Sequence, residues 1–394
     1  MTSNVVYPLA TSSWGTEEID AINDVVASGR FSMGEKVATF EKEFAEYFGS
    51  KHAVMVNSGS TANLLMISLL KWRHNLTRFE GANIIVPAVG WSTTYFPLTQ
   101  NGFRINFVDV DPETYNIDIN KIEQAINPST VAIMPVNLCG NPCNFTEIKR
   151  ICAENKLLLL EDNCESMGGK WDNRSLGTLG FAGSHSFFFS HHLQTMEGGM
   201  ICTPNEDDMH WLKSLSAHGW CRELPDNFEL YNKTGSFFKD SFTFVTPGYS
   251  VRPLEMSGAI GSVQLKKWPQ LLEVRLDNMK YFKELFADVP WMRMQEERHG
   301  ESTWFSFGCV LQGALKGRRD EVVKAFEQNG IEARPLASGN FLNQPVVKMM
   351  PHYNHGNYEG AQDIDENGFW VGNHSTDCKA GIFKMFTILK GLAE

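Results

Sequence analysis

Two adjacent imidazoles, His191 and His192, close the run Ser186-Phe187-Phe188-Phe189-Ser190, and Glu197-Gly198-Gly199 follows. Histidine changes charge near neutral pH, so an imidazole at the end of an apolar segment suits proton transfer. Two structural readings compete: a hydrogen-bonded core histidine, and a metal set completed by His185. Neighbouring side chains on a strand face opposite sides, which counts against the metal set. A second histidine with chemical potential is His218, in Ala217-His218-Gly219-Trp220, where a satisfied loop residue is the competing reading.

Three further segments carry candidate binding groups. Asn57-Ser58-Gly59-Ser60-Thr61-Ala62-Asn63 follows a strand pattern and opens a helix. The free amides and the dipole of such a start bind phosphate, although Ser and Thr there are also ordinary N-caps. Leu157 to Leu160 is a run of leucines suited to a strand buried on both faces, and it ends in Glu161-Asp162-Asn163-Cys164-Glu165-Ser166. A carboxylate at the C-terminal end of such a strand lies where open α/β sheets place ligands, and Asp162 could hold a protonated pyridine nitrogen. The plain alternative is that Asp162 begins a turn. Pro87 to Tyr95 follows another strand pattern, and its Trp91 could stack on a flat ring or sit in the core.

Positioning these groups requires strands that alternate with helices. Strand patterns at 54–56, 84–86, 107–109, 131–134 and 157–160 are separated by helical patterns at 61–73, 119–126 and 145–155. That order implies βαβ units, a mostly parallel sheet and right-handed crossovers. A helix is expected at 17–27, packed on the outside. The stretch Pro247 to Gly261 is rich in turn residues and leads into a long helix over Ser262 to Phe286. The remainder, with a strand at 304–311 and a helix at 320–328, reads as a smaller α+β unit. The expected division is a large cofactor-binding domain over 1–265 and a small C-terminal domain over 266–394.

The 394 residues are 42% hydrophobic and 21% charged, ordinary values for a globular chain. A net charge of −11 without a basic stripe argues against nucleic-acid binding. An anionic substrate must therefore be gripped by local donors. The eight cysteines form no CxxC pair, so zinc-ribbon and disulfide-scaffold readings fail. No apolar stretch is long enough for a membrane span, and no signal peptide is evident, so a cytoplasmic location and no metal are expected.

Taken in order, these segments resemble the DegT/DnrJ/EryC1 sugar aminotransferase family, which has the aspartate-aminotransferase fold (fold type I). The likeness runs from Tyr7 to about Lys390 and includes PAVGWSTTY, LLEDNCESMG and HHLQTMEGG. It implies a pyridoxal or pyridoxamine 5′-phosphate cofactor. Ser58, Gly59, Ser60 and Ser186 would then grip the phosphate and Trp91 would cover the ring. Asp162 would lie under the pyridine nitrogen, with Glu165 at the neighbouring polar position. The family's lysine, which holds the cofactor as an imine, falls at His191. No lysine occurs between Lys170 and Lys213. A histidine cannot form that bond but still moves protons.

Within the family, histidine at this place marks sugar 3-dehydratases. The chain is more similar to the GDP-sugar branch of colitose (O-antigen) biosynthesis than to the branch with an iron–sulfur cluster, because the cysteines after His191 are widely spaced. The resemblance implies loss of the C3 hydroxyl from a nucleotide-linked 4-keto-6-deoxy sugar such as GDP-4-keto-6-deoxy-D-mannose, with L-glutamate as amino donor. His191 would be the base, with His192 as runner-up and His218 as a second active-site histidine. A homodimer with shared sites is expected, in which Ser250 replaces the usual Asn reaching the neighbour's phosphate site. Two other readings stay open: a sugar aminotransferase with a displaced lysine, and a cofactor-binding sensor without turnover.

Overall fold

The structure, a computed structural model, describes residues 5–394. Seven strands form most of the central sheet: β1 (His52–Val56), β2 (Asn83–Pro87), β3 (Arg104–Val108), β4 (Thr130–Ile133), β5 (Leu158–Asp162), β6 (Ala182–Ser186) and β7 (Gly199–Thr203). Further on come β8 (Met292–Met294), β9 (Ser306–Leu311), β10 (His352–Tyr353) and β11 (Gly368–Gly372). The large sheet runs β1-β7-β6-β5-β4-β2-β3-β10, and only β7 lies antiparallel to its neighbours. The small sheet runs β8-β9-β11 and is antiparallel. The expected α/β architecture of the aspartate-aminotransferase type, with a smaller α+β part, is therefore present.

Why these segments become buried strands follows from their composition. β2 and β6 are buried at every position, because helices cover the sheet on both faces. Helices Gly59–Trp72 and Ser92–Gln100 pack against one another over the main core, and helix Phe145–Asn155 caps a separate apolar cluster with Ile148 and Ile151. Near the C-terminus, Phe282 stacks on Phe307 with ring centroids 4.2 Å apart. That core also takes in Tyr7 from the opposite end of the chain.

One expectation is corrected. Residues 255–261 are not turn but the first two turns of a helix running unbroken from Glu255 to Phe286. Gly258 and Gly261 read as breakers, yet they are contact points. A Cβ at 258 would stand 2.6 Å from the Val37 Cα, and one at 261 would stand 2.5 Å from the Phe40 ring. The glycines let this helix lie directly on helix Glu35–Phe48. The Glu255 carboxylate fastens the pair by accepting from the amides of Gly34 (2.6 Å) and Lys36 (2.7 Å). The same helix passes through Pro269 and continuously through residue 265, linking the large sheet to the small one.

This contact makes a signed prediction. In an open helix, replacing Gly by Ala stabilises by about 1 kcal/mol. Here Gly258→Ala is expected to destabilise by about 1–3 kcal/mol, because the methyl meets backbone. Urea unfolding decides it, and a gain in stability would mean that the two helices do not touch at this point.

Candidate active site

The site is built where β5 and β6 end and helix 59–72 begins. Gly59 stands so close to the sheet that a Cβ there would fall 2.5 Å from the Ser186 Cβ and 2.9 Å from the Cys164 Sγ. Gly199 lies equally close on the other side, since its Cβ would meet the Ser58 carbonyl at 2.4 Å. The helix start therefore rests on the sheet edge with no side chain between. Ser58 acts as N-cap: its Oγ accepts from the Thr61 amide at 3.2 Å, while the Thr61 hydroxyl reaches the Asn57 side chain. The amides of Gly59 and Ser60 make no hydrogen bond among the described residues. Ser60 donates its hydroxyl to Thr93 Oγ1 at 3.0 Å. Two free amides at the positive end of a helix thus stand beside the Ser186 hydroxyl, a donor set suited to phosphate.

Asp162 is almost fully buried at the end of β5. Its Oδ2 accepts from Asn63 Nδ2 (2.9 Å) and from the Thr94 hydroxyl (2.7 Å), while Oδ1 takes the Cys164 amide at 3.3 Å. Three neutral donors fix and orient the carboxylate without a cation. Sequence reasoning did not assign Asn63 or Thr94. The available signal was spacing: Asn63 lies four residues after Gly59, one helical turn, and so faces back toward the sheet. Trp91 precedes helix Ser92–Gln100, and its segment is tied to Asp162 through Thr94. The residue is 57% exposed, so its side chain is accessible to a ligand.

Glu165 accepts the Cys139 amide at 2.8 Å. Burial pushes its carboxyl up to about 7, an effect the Cys139 amide opposes and the nearby Asp162 charge reinforces. The Phe305 amide donates to the Cys139 carbonyl at 3.1 Å, and the Phe305 ring packs on His191 with centroids 5.1 Å apart. Glu165 and His191 therefore flank the same pair of residues.

The expectation that His191 and His192 alternate along a strand is corrected. β6 ends at Ser186, and the chain then turns, with the His191 amide donating to the Phe188 carbonyl at 2.8 Å. Exposed Phe188 and Phe189 mark that turn, so strand alternation does not apply and both rings face Phe305. Their surroundings separate them. His191 is partly open, and its Nδ1 lies 3.4 Å from the Ser190 hydroxyl. His192 is buried against Trp268 and Phe305, and neither ring nitrogen has a partner among the described residues. Burial, helped by the Arg275 charge, pushes His191 down to about 4. It is a neutral acceptor at physiological pH.

His218 and Ser250 belong to a second group. His218 has φ +60, its amide donates to the Tyr249 carbonyl, and its Nε2 lies 3.4 Å from the Arg252 guanidinium. Ser250 is exposed and forms a bridge pair with Ala217. The two groups meet through the Asn57 amide, which donates to the Val251 carbonyl at 3.0 Å beside the donor-rich helix start. Among the described residues no hydrogen bond or ring pairing joins His218 to His191.

A mostly parallel sheet with a donor-rich helix start, an oriented carboxylate at a strand end and a neutral histidine beside them fits one class: a vitamin B6-type protein of the aspartate-aminotransferase fold. The chain belongs to the DegT/DnrJ/EryC1/StrS aminotransferase family, which it matches over residues 12–382. It is 48% identical over 386 residues to the GDP-4-keto-6-deoxy-D-mannose 3-dehydratase of Yersinia pseudotuberculosis, covering 98% of both chains. The E. coli GDP-4-keto-6-deoxy-D-mannose-3-dehydratase with bound hydrated PLP superimposes with a TM-score of 0.94 at 48% identity, over 98% of this chain and 99% of that one. A GDP-4-keto-6-deoxymannose-3-dehydratase with a trapped PLP-glutamate geminal diamine also gives a TM-score of 0.94 at 48% identity, over 97% of this chain and 100% of that one. Helicobacter pylori PseC, an aminotransferase, shares the fold at 19% identity and a TM-score of 0.86.

The neutral histidines carry a pH consequence. Burial pushes His185 down to about 3 and His374, like His191, down to about 4, and holds His192 well below the ordinary range. Folded imidazoles that stay neutral while the unfolded chain protonates near pH 6.5 make unfolding take up protons. Their contribution is complete above about pH 6.5 and is lost as pH falls toward 4. In ¹³Cε1-histidine NMR at pH 6, four resonances are expected in the neutral form. Protonation of the His191 signal at that pH would contradict the site as described.

Proposed function

We propose that this chain is a pyridoxal/pyridoxamine phosphate-dependent 3-dehydratase. Its substrate would be GDP-4-keto-6-deoxy-D-mannose or a close nucleotide-linked 4-keto-6-deoxy sugar. L-Glutamate would be the amino donor and a 4-keto-3,6-dideoxy sugar the product. The observation that carries this reading is a neutral, partly open His191 five residues after Ser186, with no lysine between Lys170 and Lys213. The similarity to the dehydratases, over nearly the whole chain, supports it.

In this proposal the Gly59 and Ser60 amides, the hydroxyls of Ser58 and Ser60 and the Ser186 hydroxyl hold the cofactor phosphate. Asp162, oriented by Asn63 and Thr94, faces the ring nitrogen, and Trp91 supplies a flat face for the ring. Glu165 belongs to the same site. When bound, the cofactor supplies an amine to condense with the C4 ketone and an electron sink that makes the neighbouring carbon acidic. His191 takes a proton from the cofactor methylene and returns one to the C3 hydroxyl as it leaves. His218 is assigned as the second histidine of the site. The sugar departs carrying the C4 nitrogen, which water removes as ammonia. Glutamate restores the amine and leaves as 2-oxoglutarate.

The residue type at 191 decides the outcome. A lysine amine would bond the cofactor and return nitrogen to the sugar, whereas an imidazole only moves protons, which favours elimination. His191 is preferred over His192 because the latter is enclosed by Trp268 and Phe305. We also propose a cytoplasmic homodimer in which Ser250 reaches the neighbouring site. Among the described residues no helix is long and apolar enough to cross a membrane.

Incubation with pyridoxal phosphate, glutamate and GDP-4-keto-6-deoxy-D-mannose should release 2-oxoglutarate and a sugar lighter by one oxygen, read by mass spectrometry. Amino-sugar product instead would favour an aminotransferase, and cofactor binding without 2-oxoglutarate would favour a sensor. In a second experiment, His191→Lys should acquire covalent cofactor at position 191 after borohydride reduction and lose dehydration, whereas His192→Lys should not be labelled. Labelling only in the His192→Lys protein would reverse the assignment of the base.

A further inference from the structure

Arg275 lies in the middle of helix Glu255–Phe286, 4% exposed, with no carboxylate within ion-pair distance among the described residues. A buried guanidinium is ordinarily paired, because an uncompensated charge in a low-dielectric interior is costly. Here it meets carbonyls only. Its Nη1 donates to the Asn373 carbonyl at 2.6 Å and to the Phe305 carbonyl at 3.3 Å, and its Nε has no partner among the described residues. The Asn373 side chain completes the knot by donating to the Arg275 carbonyl (3.2 Å) and the Trp304 carbonyl (2.7 Å). Asn278, one turn further along the helix, donates to the His374 carbonyl at 3.1 Å.

The knot joins the long helix, the chain entering β9 and the chain leaving β11. It holds Trp304 at φ +47, a left-handed value that a bulky residue adopts only when its surroundings impose it. The next residue is Phe305, whose ring packs on both His191 (5.1 Å) and His192 (5.5 Å). From the geometry we infer that Arg275 is a positioning residue for the reaction: through the Phe305 carbonyl it sets the wall against which His191 stands, and its unpaired charge bears on that imidazole alongside burial. This rests on the functional reading above, in which His191 moves protons.

The charge argument is consistent with what surrounds the rings. The titratable groups bearing on the two imidazoles are Arg275 from the long helix, which acts on both, and His191 and His185 (from β6), which act on His192. Residues 302–306 contribute none. Arg275 also lowers His374 on the far side of the knot. A carboxylate partner for Arg275 would cancel this field, which gives its absence a purpose.

The test uses Arg275→Lys, Arg275→Gln and Phe305→Leu. Histidine NMR without added cofactor reads the imidazole, and glutamate-dependent 2-oxoglutarate release reads turnover. Arg275→Lys keeps the charge but loses the forked clamp. Its His191 midpoint should stay within a few tenths of the parent, while kcat falls about tenfold or more at unchanged KM. Arg275→Gln loses the charge as well, so the midpoint should rise by roughly one pH unit, a tenfold gain in proton affinity, and the acid limb of the kcat/KM profile should rise with it. Should Arg275→Gln fail to fold, Arg275→Lys and Phe305→Leu decide, and the latter should lose kcat while cofactor affinity holds. An unchanged His191 midpoint in Arg275→Gln, or parental kcat in both Arg275→Lys and Phe305→Leu, would overturn the inference. If the parent protein releases no 2-oxoglutarate, the functional reading fails instead, and the titration still decides whether the Arg275 charge bears on the imidazole.

Discussion

The site depends on one close approach: the first turn of helix 59–72 sits against the ends of β6 and β7 with only hydrogen atoms between. Gly59 and Gly199 make that possible, since a methyl at either position would occupy the same space as Ser186 or the Ser58 backbone. Everything else follows from the contact. It leaves the Gly59 and Ser60 amides next to Ser186 without partners among the described residues. It also brings Asn63, one turn along the helix, to Asp162 at the end of β5. A helix start displaced by even the width of a methyl group would separate phosphate donors from carboxylate.

Burial is used in opposite senses around this contact. It drives Glu165 up to about 7 and His191 down to about 4, in each instance by disfavouring charge. Asp162 is as deeply placed, but three donors surround it. One interior therefore holds a carboxylate fixed by three hydrogen bonds, a second near the middle of its titration at neutral pH, and an imidazole that stays neutral. Separation of protonation states among nearby groups is what acid–base chemistry in a single pocket requires.

Much of this arrangement was legible in the sequence. The alternation of apolar runs with 3.6-periodic segments located five of the eight strands of the large sheet, with bounds off by up to three residues, and the helices at 119–125 and 145–155 to within a residue. The residue types at Ser58 to Ser60, Asp162 and Ser186 were visible because strand-end and helix-start chemistry is local. Glycine was the misleading signal. At Gly258 and Gly261 it marks helix–helix contact rather than a turn, and composition alone does not distinguish the two uses. Likewise Phe187 to Phe189 looked like more strand, although Phe188 and Phe189 are exposed in a turn.

What the sequence by itself determined was the set of reactive groups: a histidine and no lysine at the decisive place, an aspartate at a strand end, and a helix start able to take phosphate. These depend on residue identity and on spacing of a few positions, and local backbone preference is enough to express them. Only the tertiary structure decided which groups share an environment. Asn63 and Thr94 converge on Asp162 from positions 99 and 68 residues away. Arg275 reaches the carbonyls of residues 30 and 98 positions further on. Burial and charge act through space, so the neutrality of His191, and with it the suitability of that histidine as a base, comes from partners that no local pattern in the chain announces.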